Sequence, residues 1–281
     1  TPFDWSENAP GPGANPNVPA DRRFVQSAGP FTLQPGAVNY VTIGVVWARA
    51  SSGGARGSFN LLLKADSKSQ ALFDNCFELV SGPDAPDVAV RELDKEIILM
   101  LSNENPLSSN YNESYEMLDP TIPEFDANLQ PLTEEERTYH FEGYMVYQLA
   151  NEKVTSADLY DITKARLIAQ SDIQNGVAQL VNFEKDPLTG FTIPVLKVQG
   201  ADDGIRRSVQ ITEDAFAQGD NRLINHKTYY FMAVAYGYNQ YRPYVMGSGT
   251  GQDESFLASR KSVFGAIKVI AAIPHDNQPA F

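Results

Sequence analysis

The chain has 281 residues, enough for one large domain or two ordinary ones, each with a sizeable core. A formal net charge of -13 with no Lys/Arg cluster to offset it repels nucleic acid and anionic lipid, and argues against both as partners. Hydrophobic residues at 42% and aromatics at 11% indicate a folded protein, while 20 Gly and 18 Pro indicate many turns, the composition of a mainly β chain.

Residues 1–23 are Pro, Gly, Asn and Ala with only Phe3 and Trp5 as apolar anchors, which reads as an extended arm or linker. No initiator methionine precedes Thr1, which fits a processed protein or a fragment. No basic-then-apolar leader stands at the start, and no apolar run of about 18 residues for a membrane span occurs anywhere.

Residues 24–82 form the next unit. Phe31-Thr32-Leu33 and Val41-Thr42-Ile43-Gly44-Val45-Val46-Trp47 read as two strands. Between them Pro35-Gly36 suits the central positions of a type II turn, so a β-hairpin is expected. A helical period follows over 58–77, with Leu62, Ala65, Leu72, Cys76 and Leu79 on one face and Lys64, Lys68, Gln70 and Asp74 outward. Cys76 is the sole cysteine, so no intrachain disulfide forms, and its place in the apolar pattern makes it an expected core residue rather than a nucleophile.

Pro83-Asp84-Ala85-Pro86 marks a boundary, and residues 83–275 read as a run of strands before a tail over 276–281. Val88 to Leu93 and Glu96 to Leu101 are joined by Asp94-Lys95, short enough for a tight reversal. Residues 103–137 hold Asn, Pro, Asp and Glu with Tyr111, Tyr115, Leu118 and Phe125, and read as a long excursion pinned by aromatics. Residues 139–149 are a central strand, and 158–172 a short helix followed by a strand. Further strands are expected at 190–198, 205–211 and 265–274, with a Gly-rich acidic loop at 247–254. The strongest strand is 226–239. Tyr230, Met232, Val234 and Tyr236 fall on one face and Tyr229, Phe231, Ala233 and Ala235 on the other, so both faces should be covered.

Strands at these intervals point to an immunoglobulin-like β-sandwich. Pro83-Asp84-Ala85-Pro86, Ile97 to Leu101, Phe141 to Tyr147, Leu223 with Thr228-Tyr229-Tyr230, and the strand containing Val234 together resemble the landmarks of a fibronectin type III domain. The family carries a tryptophan in its second strand, where this chain has Leu101, and insertions at 103–137 and 152–222 make the domain an elaborated one. The stretch from Gly29 to Gly36, Val41 to Ala48, and Leu63 to Asp74 resembles a segment that precedes such modules in large surface proteins of Gram-negative bacteria exported by the type IX system. That resemblance implies an extracellular or cell-surface, internal piece of such a protein, with the fold an elaborated fibronectin type III or immunoglobulin-like β-sandwich preceded by a β-hairpin plus helix unit. The sorting domain expected at the end of such a protein is not visible after Pro274.

No linear motif carries catalysis. His140, His226 and His275 are far apart, which argues against zinc, and no G-x-S-x-G elbow occurs. Asp202-Asp203-Gly204, Asp253-Glu254 and Glu134-Glu135-Glu136 could offer oxygens to calcium, but without a calcium-loop register they read first as solvated acidic loops. Gly247-Ser248-Gly249-Thr250-Gly251 lacks the Lys-Ser/Thr and helix onset of a phosphate loop. Tyr111, Tyr115, Tyr160, Tyr238, Tyr241 and Tyr244 either pin loops to the sandwich or form a platform for sugar rings or a protein partner. No catalytic, cofactor-binding or metal residue is assigned. The reading is a non-catalytic structural or interaction module that joins or presents neighbouring domains, or binds a surface partner. The alternative is a carbohydrate-binding accessory module of an exported enzyme. A third option, a catalytic domain without a linear motif, would need two carboxylates facing each other in a cleft.

Overall fold

The computed structural model describes residues 23, 25–50, 53–77, 80–126, 128–247 and 249–276. The arm expected over 1–23 lies almost wholly outside them, as do Leu79 and the tail beyond Asp276. The chain divides into two units, Thr1–Gly44 and Val45–Phe281. In the first, the described residues hold one turn, closed by Ala37 N–H donating to Gln34 at 2.9 Å with Gly36 at φ 83°, as the Pro-Gly pair predicts. Its flanks form no strand, so the expected hairpin over 31–47 is not formed. A two-stranded hairpin holds only when one face is buried, and Phe31, Leu33, Val41, Ile43, Val45 and Trp47 are all exposed.

The second unit begins with α1 (Gly54–Asp74), which starts four residues earlier and ends three earlier than its periodicity predicts. It closes in a Schellman motif: Phe77 N–H donates to Leu72 O at 2.8 Å and Cys76 N–H to Phe73 O at 3.1 Å. Cys76 therefore takes the left-handed position usually given to glycine, at φ 55°, and is exposed. That corrects its expected place in a core, because the helical period stops before reaching it.

Eleven strands follow among the described residues: β1 (Asp87–Leu93), β2 (Glu96–Ser102), β3 (Glu116–Leu118), β4 (Thr138–Leu149), β5 (Ala165–Asp172), β6 (Gln179–Lys185), β7 (Thr192–Gln199), β8 (Ser208–Ile211), β9 (Tyr229–Tyr238), β10 (Phe256–Ala258) and β11 (Ile270–Ala272). All pairings are antiparallel. One sheet has the order β1-β2-β8. The larger sheet is built on the central pair β4 and β9, with β3 and β5 along the free side of β4 and β10 and β11 along the free side of β9. The third is the hairpin β6-β7. The helix expected at the start of 158–172 does not form: the 3-10 turn Ser156–Asp158, closed by a capping box from Thr155, ends there and turns lead directly into β5. Short polar side chains there satisfy the backbone locally and favour a turn over a helix.

β9 is covered on both faces, as its residues predict. Phe231, Ala233 and Ala235 pack with Ile97, Leu99 and Leu101 of β2 and Ile211 of β8, so one core lies between the two larger sheets. Leu101 at the end of β2 is buried there. Met232, Val234 and Tyr236 pack with Leu180 of β6, Val198 of β7 and Phe256 of β10 in a second core. The β6-β7 hairpin is thus a lid on the larger sheet. Asn182 holds it down: its Nδ2 donates to Phe256 O at 2.9 Å, and its Oδ1 accepts from the N–H groups of Ser255 and Phe256.

The excursion before β4 is tied down by Tyr115, whose hydroxyl donates to Ser81 O at 2.5 Å, and by Glu113, which accepts from Tyr144 and Arg207. Tyr111, Leu118 and Phe125 remain exposed and contribute little to that anchoring. Leu180→Ala should cost about 2–5 kcal/mol of unfolding free energy, because it opens a cavity beneath the lid. Leu188→Ala, on the exposed tip of the same hairpin, should change it by less than about 0.5 kcal/mol. Urea denaturation of the two variants checks whether the hairpin covers the sheet, and equal effects would show that it does not.

Candidate functional site

Alternation along β4 breaks at one place. Tyr139 and Phe141 face the inter-sheet core, and so do Tyr144 and Val146, although strict alternation would send the second pair to the opposite face. A β-bulge supplies the missing residue: opposite β9, Phe141 pairs with Gly237 and Gly143 with Tyr236, which leaves Glu142 without a partner across the ladder. Such a bulge re-aims a side chain. Here it buries a carboxylate completely.

Asp172, at the end of β5, pairs with Gly143 and is likewise fully buried. Each carboxylate has one satisfied oxygen. Asn175 Nδ2 donates to Glu142 Oε2 at 2.7 Å, and Asp202 N–H donates to Asp172 Oδ1 at 3.0 Å. Glu142 Oε1, Asp172 Oδ2 and the Tyr236 hydroxyl have no hydrogen-bond partner. Burial pushes the Glu142 carboxyl up to about 8. The Asn175 hydrogen bond opposes that rise, and the negative fields of Asp172 and Asp202 add to it. Burial also raises Tyr236, with Asp172 and Glu142 next in effect.

Two glycines make room for this cluster. A Cβ on Gly143 would collide with Ser171 O and the Tyr236 hydroxyl, and a Cβ on Gly200 would collide with the Asp172 carboxylate. The acidic loops weighed from sequence as possible calcium donors stand elsewhere or are already engaged. Asp202 Oδ1 accepts from Asn175 N–H at 2.7 Å and Gly176 N–H at 3.0 Å, while Asp253 pairs with Lys68 of α1. Among the described residues no three His, Cys, Asp or Glu side chains converge to hold a metal ion. His140 lies beside Glu135 at 3.3 Å and His275 beside Glu92 at 3.8 Å, on separate parts of the unit.

The tyrosines weighed for a binding platform divide. Tyr115 is buried, Tyr238, Tyr241 and Tyr244 are half-buried, and the two most exposed, Tyr111 and Tyr160, sit on different loops. Tyr244 stacks edge-on with Phe183, and Tyr160 carries Lys197 over its ring at 4.2 Å. The Gly247–Gly251 region leads into a strand, β10, and not into the helix that a phosphate loop requires.

A cleft of about 400 Å³ between the end of β4 and the loop before β9 is lined by Asp214, Phe216, Asp220, Arg222, Lys227 and Tyr230. Its charges are paired internally, Lys227 with Asp214 at 2.7 Å and Arg222 with Asp220 at 2.8 Å. Gln148 Nε2 also donates to Asp214 at 2.7 Å.

Glu142 and Asp172 were missed as a site in the sequence, although a signal existed. A charged residue followed by glycine inside an otherwise aromatic strand marks a bulge. No family model, no curated protein and no solved structure matches this chain.

Gly143→Ala and Gly200→Ala should each destabilise the fold by about 1–3 kcal/mol through overpacking against the carboxylate cluster. Gly44→Ala, where an added Cβ meets nothing within 4 Å, should leave the sandwich unchanged. Thermal and urea unfolding of the three variants measures this.

Proposed function

We propose that this chain is a non-catalytic structural or interaction module that joins or presents neighbouring domains of a large exported, cell-surface protein. The observation that carries the reading is α1. Its apolar side chains recur at helical spacing, yet Phe59, Leu61, Leu63 and Phe73 are exposed, Leu62 and Leu72 are half-buried, and among the described residues no strand packs extensively against it. A helix of this kind gains most of its stability from packing an apolar face, and several large apolar side chains left exposed on one helix favour a contact with another domain or protein. The occupant that fits is the neighbouring domain of the same polypeptide.

The strand order supports a fibronectin type III-like sandwich over 83–275. Three strands, β1-β2-β8, face a sheet in which β5, β4 and β9 are followed by a last strand split into β10 and β11. This order favours an immunoglobulin-like reading, in which β3 and the β6-β7 hairpin are additions to the sandwich. The resemblance of the preceding segment to those of type IX-exported proteins supports placing the module at the cell surface. The carboxylates of Glu142 and Asp172 lend no support to catalysis, because both are fully buried.

In the isolated chain, amide exchange in α1 should run at least about 100-fold faster than in β9, the difference between a helix without a partner and a central strand. An apolar dye should bind, and Leu62→Glu with Leu72→Glu should abolish that binding without lowering the unfolding midpoint of the sandwich. Protection of α1 equal to that of β9 would show that the helix is already packed and would overturn this reading.

A further inference from the structure

We propose that Glu142 is held as the neutral acid at the β4 bulge, and that its proton is a pH-sensitive latch fastening the base of the β6-β7 lid to the larger sheet.

The geometry sets the need. Two carboxyl groups lie fully buried at the bulge, and each has one oxygen without a donor, Glu142 Oε1 and Asp172 Oδ2. Among the described residues no Lys, Arg or His forms an ion pair with either. Two unpaired negative charges in an apolar interior are far more costly than one. A proton taken from solvent onto Glu142 removes one of the two charges.

The groups facing Glu142 come from every element packed on it: Asp172 on β5, Asn175 in the turn after β5, Asp202 in the loop after β7, and Tyr236 and Tyr238 on β9. None is cationic, so all of them leave the proton as the remedy.

The same groups are the hinge of the lid. Asn175 donates to Glu142, Asp202 N–H donates to Asp172, and Asp202 in turn accepts from Asn175 and Gly176 N–H. These bonds tie the entry to β6 and the exit from β7 to the carboxyl pair. Loss of the proton sets the two carboxylates against each other and against Asp202, and it loosens both ends of the hairpin together.

The sign follows from the raised Glu142 value of about 8, against an ordinary carboxyl value near 4.5. Between these two values the folded state binds the proton and the unfolded state does not. Stability is therefore fully present at the acid end of the window and falls as pH rises through about 8.

The test uses the full chain, its Glu142→Gln variant and its Asp172→Asn variant. Glutamine at 142 keeps the shape of the protonated acid, donating through one atom and accepting through the other, at every pH. The wild-type Tm should fall by roughly 5 °C or more between pH 6 and pH 9. The E142Q protein should lack that fall and be the more stable one at pH 9. At pH 9, amides of Asn175, Gly176 and Asp202 should exchange faster in the wild type than in E142Q, while those of β2 should not differ. The carboxyl-carbon NMR signal of Glu142 should report the protonated acid at pH 7.

D172N should lower the apparent titration point of Glu142 by removing its negative neighbour, which a merely structural role would not do. Parallel pH profiles for wild type and E142Q would overturn the proposal, as would an ionised Glu142 at pH 7. A Tm that calcium or magnesium raises at pH 7 in the wild type but not in E142Q would overturn it as well, since a cation and not a proton would then balance the pair.

Discussion

Covering both faces of the β4–β9 pair is the constraint on which the second unit depends. Neither strand offers a polar face: β9 presents Phe231 and Ala233 one way and Met232 and Val234 the other, and all four are buried. Each large side chain taken from water contributes about 1.5–3 kcal/mol, so leaving either face open would forfeit a large part of the folding free energy. A two-sheet sandwich covers one face only. The β6-β7 hairpin covers the other, which is why a long insertion between β5 and β8 is structurally necessary here and not a surface ornament.

The bulge in β4 follows from the same demand. Aromatic residues occur at 139, 141, 144 and 147, a spacing that no strictly alternating strand can place correctly, and one extra residue at 142 restores Tyr144 and Val146 to the inter-sheet core. The residue left over has to go somewhere. It is directed into the seam where β4, β5 and the base of the lid meet, and that seam is open to it only because Gly143 and Gly200 carry no Cβ. A side chain that mends the alternation of one strand therefore becomes the group on which the lid's ends are fastened.

What was legible in the sequence divides along physical lines. The two faces of β9, the tight Asp94-Lys95 reversal between β1 and β2, and the central place of β4 rest on local periodicity backed by burial, and all three are present. The expected hairpin over 31–47 has the right period and the right turn, but its apolar residues are exposed and its flanks form no strand. In α1 the period was real, yet Asn75 and the left-handed Cys76 ended it before the pattern did. β6 and β10 escaped notice because they are held together by Asn182 and Ser255, buried polar residues that read as loop in isolation. The carboxylate site escaped because Glu142 and Asp172 are 30 residues apart and meet only through the register of β4 and β5.

A buried carboxyl pair is a costly way to fasten a loop, since apolar residues of similar volume in such positions are often as stable or more so. Polar groups do something apolar ones cannot: they fail when misplaced. Sliding β4 by one residue against β5 would move Gly143 away from Asp172, drive a side chain into Ser171 O, and leave Glu142 without Asn175. An apolar seam would tolerate that slip far better. The pair therefore fits a marker of register, holding the bulge at one position in a strand whose apolar residues on both faces would otherwise accept more than one alignment.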